Sequence, residues 1–291
     1  MGGFFGSVKH SSAVFDTFIG TDYHSHLGTK RGGMAAFDGE IGLQREIHNI
    51  ENSPFRTKFE RVLSDMRGKA AIGCISDTDP QPLLMVSKTG KYAISTVGII
   101  NNAESLIAKV LRNGGYFDAM TGSKVNSNEI VAALINTKDT YAEGIRFAQE
   151  QIDGTASILL LTDRGTLIAA RDRLGRLPVK IGRGEDGFCV SFEDFAYRKL
   201  GYSDYKELGP GEIVEISADG VTQLSPAGEK MRICAFLWSY YGYPTSSYEG
   251  VNVEMMRCRN GGIFARNDAQ THDMHAIDYV AAFPIRAPRM R

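Results

Sequence analysis

Hydrophobic and polar positions along this chain form short runs whose period changes several times. Apolar or alternating stretches that are bounded by glycine, proline or polar turns predict strands. Several of these stretches are joined by hairpin-length turns, such as the turn from Ser87 to Gly90, which favours two antiparallel sheets. The predicted strands are Gly3–Val8, Ala70–Ile75, Leu83–Val86, Tyr92–Ile100, Ser157–Leu161, Thr166–Arg171, Phe188–Ser191 and Glu212–Ile216.

Other stretches carry helical spacing together with start and stop signals. Thr140 stands before one of them with Glu143 three positions later, which is the order of a capping box. Runs of strands separated by pairs of helices favour layered α+β packing over a doubly wound sheet. The predicted helices begin at Ser53-Pro54 and end at Gly68, span Ala103–Arg112, begin at Asn126 with Glu129 in the first turn, and span Tyr141–Ile152.

Composition narrows the functional classes. The 291 residues, 43% hydrophobic and 23% charged, suit a globular protein of one or two domains. The 33 basic residues nearly balance the 34 acidic residues, which removes any bulk electrostatic argument for nucleic acid or an anionic membrane. The chain shows no transmembrane run and no signal peptide, so we expect a cytoplasmic protein without nucleic-acid or membrane partners.

Three local patterns are weighed as metal or cofactor sites, and none is favoured. Asp22, His24 and His26 alternate, so an extended strand would place three ligands on one face, but no further ligand recurs nearby. Gly182–Gly187 matches Gly-x-Gly-x-x-Gly but is followed by strand residues, which favours a hairpin turn over a dinucleotide site. We therefore expect no metal and no cofactor. The cysteines lack pair spacing and are interpreted as buried free thiols, and they are Cys74, Cys189, Cys234 and Cys258.

The N-terminal segment Met1–Val8 is apolar and rich in glycine. Removal of Met1 would expose Gly2, which keeps the free amine of an N-terminal nucleophile enzyme but has no thiol or hydroxyl for attack. The segment resembles the Met-Cys-Gly-Ile-Phe-Gly start of the class II glutamine amidotransferases, most closely the amidophosphoribosyltransferases. Their catalytic cysteine corresponds to Gly2.

Four further motifs carry the same resemblance along the chain. His26–Ala35 resembles the family's His-Arg-Gly-Gln-Glu-Ser-Ala-Gly-Ile-Ala, and Arg171–Pro178 resembles Arg-Asp-Pro-Leu-Gly-Ile-Arg-Pro. Leu208–Val214 resembles the Pro-Gly-Glu-Ile-Val strand. Cys234–Gly250 resembles Cys-Ile-Phe-Glu-Tyr-Val-Tyr-Phe-Ala-Arg-Pro-Asp-Ser-x-x-x-Gly, a segment that asparagine synthetases lack. The resemblance thus covers nearly the whole chain and favours amidophosphoribosyltransferases within the superfamily.

The resemblance implies an Ntn-hydrolase-like, four-layer α-β-β-α sandwich of two antiparallel sheets over residues 1–230. Residues 231–291 would form a linker and the truncated start of a phosphoribosyltransferase-like domain, with Ala276–Pro284 as its first strand. The family's next residues, Val-Pro-Asp-Ser-Gly, and its phosphoribosyl pyrophosphate loop are absent from this chain. A homo-oligomer is also implied. Some members bind an iron–sulfur cluster through a cysteine matching Cys234, but the other ligands lie in the missing part.

The family's glutaminase needs a thiolate, an arginine for the substrate carboxylate, an aspartate for its ammonium, and an asparagine with a backbone N–H for the oxyanion. The cysteine corresponds to Gly2. The arginine falls on Ser76 within Ile72–Thr78, and the aspartate falls on Ser127. The oxyanion asparagine falls on Val97, whereas the adjacent Gly98 is retained. The sequence therefore predicts a degenerate site with no catalytic residue.

Two functional hypotheses follow from these losses. The first is an amidophosphoribosyltransferase-like protein of purine nucleotide biosynthesis that does not hydrolyse glutamine and that, in full-length form, would use free ammonia or another amine donor. The second is a non-catalytic pseudo-glutaminase that acts as a regulatory or assembly module, with glutamine or another small metabolite in the degenerate pocket. A substitute nucleophile is the less favoured alternative, and its candidates are Cys74, Ser76, Ser127 and Ser7.

Overall fold

A computed structural model describes residues 2–273 and 277–279 of the chain. Most of the regular structure consists of short strands, and the helices between them are mostly three turns or shorter. In chain order the elements are β1 (Gly2–Lys9), α1 (Val14–Asp22), β2 (Arg31–Asp38), β3 (Gly42–Asn49), α2 (Phe55–Phe59), α3 (Val62–Asp65), β4 (Ala70–Ser76), β5 (Leu83–Ser87), β6 (Gly90–Ile100), α4 (Ala103–Arg112), β7 (Met120–Thr121), β8 (Lys124–Val125), α5 (Ser127–Ile135), α6 (Tyr141–Gln151), β9 (Gly154–Thr162), β10 (Leu167–Ala170), β11 (Lys180–Arg183), β12 (Gly187–Ser191), α7 (Asp194–Lys199), β13 (Ser203–Glu207), β14 (Ile213–Ile216), β15 (Val221–Ser225), β16 (Ser247–Tyr248), β17 (Val251–Asn252) and α8 (Val253–Thr271).

Two large antiparallel sheets form the centre of the fold. The first has the strand order β13-β11-β12-β1-β4-β2-β3, so β1 is an inner strand between β12 and β4. The second has the order β15-β14-β10-β9-β6-β5. The sheets pack face to face, and a Cβ added at Gly6 of β1 would lie 3.2 Å from Leu159 of β9. The α+β class with two antiparallel sheets is confirmed.

One outer helical layer covers the first sheet. Helix α1 approaches β1 and β4 closely because small residues line the contact: a Cβ at Gly20 would meet the Phe5 ring at 2.4 Å, and one at Gly73 would meet Thr21 Oγ1 at 2.2 Å. Phe55 stacks on Phe59 at a centroid distance of 4.2 Å and fixes α2 against the same layer. The buried apolar cluster of this layer includes Val14, Phe18, Met34, Phe55, Phe59, Val62, Met66 and Ile75.

The other outer layer covers the second sheet and consists of α4, α5 and α6. Thr140 caps α6 by accepting from the Glu143 N–H at 3.2 Å, and Asn126 caps α5 by accepting from the Asn128 N–H, so both predicted starts are confirmed. The buried residues of this layer include Tyr92, Ile94, Ile130, Val131, Leu134, Ile145, Ile158 and Leu160. Two helical layers outside two sheets form the four-layer α-β-β-α sandwich that the sequence predicts.

The remaining expectations for individual elements hold in part. All eight predicted strands are present with shifted ends. The helix expected between Ser53 and Gly68 is wrong as a single element, because it is divided into α2 and α3 and the chain is extended again at Met66. Strand β3 was not predicted because it is an exposed edge strand with charged side chains, including Arg45 and Glu46. The elements absent from the prediction are α1, β2, β3, β7, β8, β11, β13, β15, α7, β16, β17 and α8.

The chain divides into two compact units, Met1–Cys234 and Ala235–Arg291. Within the second unit, a π-helical turn (Leu237–Tyr241) precedes the β16–β17 hairpin and α8. Trp238 donates from Nε1 to the Val251 carbonyl at 2.9 Å, and Arg257 donates to the Trp238 carbonyl at 2.7 Å. The strand expected at Ala276–Pro284 lies largely outside the described residues and stays a prediction.

Helices in the described part of the chain are all too short or too polar to span a bilayer.

Candidate functional site

Gly2 and Ser76 are paired residues on the neighbouring strands β1 and β4. Both are buried. A Cβ added at Gly2 would lie 2.5 Å from the carbonyl oxygen of Ile75, which is backbone and has little freedom to move. The position predicted to match the family's nucleophile therefore adjoins the one predicted to match its arginine, and the first has no room for a side chain.

The Ser76 hydroxyl stabilises the turn that follows β4. It accepts from the Thr78 N–H at 3.1 Å and lies 3.4 Å from the Thr78 hydroxyl. A serine in this role carries no charge, so it offers no ion pair to a carboxylate.

Val97 and Gly98 lie near the end of β6, where they pair with Ser157 and Ala156 of β9. Val97 is 3% exposed, and its apolar side chain has no donor for an oxyanion. A Cβ at Gly98 would lie 1.8 Å from the Thr155 carbonyl oxygen, so only glycine fits there. Close backbone packing is thus sufficient to explain why this position holds glycine.

Ser127 is the first residue of α5. Its backbone N–H donates to the Asp79 carboxylate at 3.2 Å, which places an acidic group at the helix N-terminus. Asp79 is 7% exposed. The N-terminal turn predicted to match the family's ammonium-binding aspartate is therefore hydrogen-bonded to another part of the same chain.

Residues 79–82, called the 79–82 segment below, contact β4, β6 and the start of α5, which carry Ser76, Val97 and Ser127. Gln81 donates to the Thr96 carbonyl at 3.1 Å and accepts from the Thr96 N–H at 2.8 Å, as a neighbouring strand would. Asn126 donates to the Pro80 carbonyl at 2.9 Å, and the Cys74 thiol donates to the Gln81 carbonyl at 3.2 Å. The segment thus joins β4, β6 and the start of α5 by hydrogen bonds.

A second layer of buried polar contacts completes this network. The Thr96 hydroxyl donates to the Asn128 side-chain oxygen at 2.9 Å, and Asn128 in turn donates to the Asn126 side-chain oxygen at 3.0 Å. All of these side chains are at least nine-tenths buried. Buried polar groups that are satisfied in this way form a rigid closure.

The candidates for a substitute nucleophile are held in structural contacts. Cys74 is fully buried, and burial raises the pKa of its thiol to about 12, so the thiolate needed for attack does not form near neutral pH. The Ser7 hydroxyl donates to the Ala13 carbonyl at 2.9 Å and lies 2.8 Å from the Thr17 hydroxyl under α1. Neither group is placed for nucleophilic attack.

A histidine and glutamate cluster, which the sequence did not reveal, lies beside the start of β1. His24 Nδ1 is 2.7 Å from the Gly20 carbonyl, and its Nε2 is 3.3 Å from the Ser191 hydroxyl. Burial lowers the pKa of His24 to about 4, so the ring is neutral. His26 Nε2 lies 2.7 Å from the fully buried Glu193 carboxylate. The signal that would have revealed the cluster is Ser191-Phe192-Glu193 at the end of a strand.

A three-ligand face at Asp22, His24 and His26 would require an extended strand, and these residues do not form one. Asp22 ends α1 and pairs with Arg56 at 2.6 Å, while His24 lies in the following turn. No group of three or more potential ligands is found among the described residues. Gly182–Gly187 forms the turn of the β11–β12 hairpin, as predicted.

All four cysteines are free thiols. Cys74 and Cys189 are buried, whereas Cys234 is half-buried and Cys258 is exposed. The expectation of free thiols is confirmed, although burial holds for only two of them.

The Arg171–Pro178 motif forms a turn built around a buried guanidinium. Arg171 is fully buried and donates to the carbonyls of Leu177, Leu208 and Gly175 at 2.9, 2.5 and 2.8 Å. Gly175 takes a left-handed conformation with φ +64°, which favours glycine. This shared motif therefore has a structural explanation that is independent of catalysis.

Comparison with known proteins gives one consistent relationship. Residues 67–196 match the family described as "Glutamine amidotransferase domain". The amidophosphoribosyltransferase of Methanocaldococcus jannaschii is 28% identical to this chain, and the match covers 98% of this chain. That of Bacillus subtilis is 26% identical, and the match covers 94% of this chain. The chain spans 64% and 58% of those two relatives.

Solved structures give the same relationship at the level of the fold. The glutamine phosphoribosylpyrophosphate amidotransferase of B. subtilis, solved with ADP and GMP, matches with a TM-score of 0.82 and 27% identity. A structure described as the allosteric regulatory enzyme of purine biosynthesis matches with a TM-score of 0.81 and 26% identity. Each match covers 92% of this chain and 58% of the other protein. The similarity therefore includes most of the described fold.

Proposed function

Because the chain carries a glutamine amidotransferase domain of the type found in amidophosphoribosyltransferases, we propose that it is an amidophosphoribosyltransferase-like protein of purine nucleotide biosynthesis that does not hydrolyse glutamine. The chain spans less than two thirds of its relatives, so a phosphoribosyl-transfer activity of the whole protein is part of the proposal. In its full-length form the protein would take free ammonia or another amine as donor.

The environment of Gly2 is the observation that carries this proposal. Glutamine hydrolysis through a covalent intermediate needs a nucleophile at the N-terminal residue, and glycine has none. The carbonyl oxygen of Ile75 lies 2.5 Å from the position that a Cβ atom of residue 2 would take, which is too close for a side chain. A substitution that merely removed the nucleophile would have left that space open.

The other family-matched positions support the same interpretation. Ser76 and Ser127 are neutral where the family pairs the two charges of glutamine, and Val97 has no oxyanion donor. Loss of one oxyanion donor alone costs about 3 kcal/mol of transition-state stabilisation. The family uses all of these positions for one substrate. Once a first change had stopped the reaction, the other residues were no longer needed for it, so several changes together indicate that glutamine is no longer a substrate.

The 79–82 segment gives independent support from packing. Its hydrogen bonds to Thr96, Asn126 and Ser127 use polar groups of the chain itself at the places where a bound substrate would need them. A ligand there would have to break buried hydrogen bonds before forming its own. We therefore propose that the family's pocket is closed by this segment.

Binding of glutamine offers a direct test that does not depend on turnover. A ligand at about 100 times its dissociation constant stabilises the folded state by about 2.7 kcal/mol. We expect the melting temperature to be unchanged by millimolar glutamine, in the same buffer that gives a normal unfolding transition. A saturable increase in melting temperature with glutamine that glycine does not reproduce would mean that the pocket is open and the proposal is wrong.

A non-catalytic regulatory or assembly module is the second candidate, and exposed aromatic residues favour it. Within the second unit, Phe236 is 60% exposed and Phe264 is 67% exposed. Exposed apolar residues of this size favour contact with another protein surface, and we propose a second copy of the chain, as in a homo-oligomer. Light scattering should give a mass that is a multiple of the monomer and that falls in Phe264→Ser. Phe15→Ser, which changes an equally exposed phenylalanine of α1, is the matched control. A monomeric wild type would contradict this second candidate.

A further inference from the structure

A small cavity lies in the first unit between the end of α6, the start of β9 and the turn that follows β10. Its volume is about 60 Å³, and its polar lining includes Gln149, Asp153, Asp172, Arg173 and Arg176. A single water needs on the order of 10–15 Å³ of such space, so the cavity has room for a small molecular group. None of the predicted degenerate glutaminase positions lines it, whereas Asp172, Arg173, Leu174 and Arg176 of the Arg171–Pro178 motif do.

Gln149 supplies an unsatisfied acceptor to this cavity. The side chain is 4% exposed, and its Nε2 donates to the Arg171 carbonyl at 2.8 Å. That contact fixes the orientation of the amide, because a carbonyl oxygen accepts only from the nitrogen end. Oε1 is buried and has no hydrogen-bond partner in the part of the chain that is described. A group with N–H or O–H donors would satisfy it.

Two carboxylates add acceptors to the same lining. Asp172 is 3% exposed and accepts from the N–H groups of Leu174 and Leu177 at 3.1 and 3.2 Å. Burial raises the pKa of Asp172 above its ordinary value, although its backbone hydrogen bonds and the charge of Arg171 act in the opposite direction. Asp153 is exposed and lies on the open side. The cavity lining therefore offers oxygen acceptors to a donor group of a ligand.

One guanidinium on the open side is available to a ligand. Arg176 is occupied, since it donates to the Gly154 carbonyl at 2.6 Å and to the Thr155 hydroxyl at 3.3 Å. Arg173 is exposed, and within residues 2–273 and 277–279 its side chain has neither an ion pair nor a hydrogen bond. A planar guanidinium in this position suits a carboxylate.

We propose that this cavity binds a small zwitterionic amino acid, with the ammonium group at Gln149 Oε1 and the aspartates and with the carboxylate at Arg173. The acceptors of Gln149, Asp172 and Asp153 and the guanidinium of Arg173 match the two charged ends of such a ligand. A water molecule alone would satisfy Gln149 Oε1, but it would not use the charged side chains of Asp153 and Arg173 that line the same cavity. The site is separate from the degenerate glutaminase positions, so the proposal does not depend on the proposed function.

Calorimetric titration of the full chain with three probes tests the ligand class. Glycine carries both charges, methylammonium carries only the cation and acetate carries only the anion. We expect saturable binding of glycine that is about tenfold tighter than that of methylammonium, because a charge-assisted contact to Arg173 is lost. Acetate should not bind measurably. Equal binding of acetate and glycine would show a plain anion site and would overturn the proposal, as would no binding of glycine.

Variants of the exposed Arg173 and of the buried Gln149 test the assigned roles. Arg173→Gln should weaken glycine binding about tenfold and leave methylammonium binding unchanged. Arg112→Gln, which changes another exposed arginine, is the matched control and should bind glycine as the wild type does. Gln149→Leu should abolish binding of both glycine and methylammonium, and its melting curve shows whether it is folded. Glycine binding that is unaffected in Arg173→Gln would contradict the assignment, whatever the outcome for Gln149→Leu.

Discussion

Gly2 on β1 faces Ser76 on β4 as a buried pair of the first sheet, and the carbonyl of Ile75 occupies the space where a side chain at residue 2 would begin. The pairing places side by side the two positions that the resemblance assigns to the family's nucleophile and arginine. The 79–82 segment hydrogen-bonds to Cys74 of β4, to Thr96 beside Val97, and to Ser127. The four positions predicted to be degenerate therefore lie on elements that are joined by this segment and by the pairing of β1 with β4.

Restoration of the family's nucleophile should fail for a steric reason as well as a chemical one. Gly2→Cys should destabilise the fold by about 1–3 kcal/mol, because the new Cβ overlaps the Ile75 carbonyl. Gly39→Cys is the control, since a Cβ there meets no atom within 4 Å. Chemical denaturation of both variants checks the difference. A Gly2→Cys variant as stable as the control, or one that releases glutamate from glutamine, would contradict the closed geometry.

The 79–82 segment should contribute to stability through Gln81. Gln81→Ala removes two buried hydrogen bonds to the backbone of Thr96, and we expect a loss of about 2–3 kcal/mol in the free energy of unfolding. Gln44 makes the same pair of contacts to the backbone of Arg67, but on an exposed surface. Gln44→Ala should therefore cost less than about 1 kcal/mol. Equal losses in the two variants would show that the segment is not a buried closure.

The buried guanidinium of Arg171 should be intolerant of a conservative change. Lysine keeps the charge but cannot reach three carbonyls in a fixed plane, so Arg171→Lys should destabilise the fold by about 3 kcal/mol or more. Arg164→Lys, at an exposed ion pair with Glu215, is the control and should change stability by less than about 0.5 kcal/mol. Thermal unfolding of both variants provides the comparison. A near-neutral Arg171→Lys would mean that the turn does not depend on the guanidinium.

His24 should make stability depend on pH. Its folded pKa of about 4 lies below the ordinary value of 6.5, so the folded state holds the neutral ring and the unfolded state takes up the proton first. The contribution of the neutral His24 ring to the free energy of unfolding is complete above pH 6.5. It is lost as the pH falls towards 4, and the total loss is about 3 kcal/mol.

Denaturant unfolding between pH 7 and pH 4 measures this dependence. His24→Asn keeps a donor for the Gly20 carbonyl and has no titrating ring, so its stability should fall less steeply with acid than that of the wild type. His10→Asn changes an exposed histidine and should keep the wild-type slope. Parallel slopes for the wild type and His24→Asn would show that His24 does not cause the dependence.

Local sequence patterns were sufficient for eight strands of the two large sheets but not for β2, β3, β11, β13 and β15. Strands such as β4 and β6 are apolar runs with clear turns, and their patterns show on the sequence because both faces are buried. Helix α8 was missed because Gly261 and Gly262 lie inside it, and propensity argues against helix at such a pair. Strand β3 was missed because an edge position tolerates charge.

The candidate site divides in the same way. The interpretation of Gly2, Ser76, Val97 and Ser127 as replaced residues rests on resemblance, which compares positions and needs no structure. The closure by Gln81 and Asp79 was not predicted, because it depends on contacts between segments 15 to 48 positions apart. The cluster of His24 and Glu193 was hidden for the same reason, since its members are far apart in sequence.

Glutamate release from glutamine by the purified chain is the most direct test of the central claim. The account predicts release that is indistinguishable from a buffer blank at any glutamine concentration, because the chain has neither a nucleophile at residue 2 nor charged partners for the substrate. Sustained release that co-purifies with the chain and disappears in Cys74→Ala would contradict it.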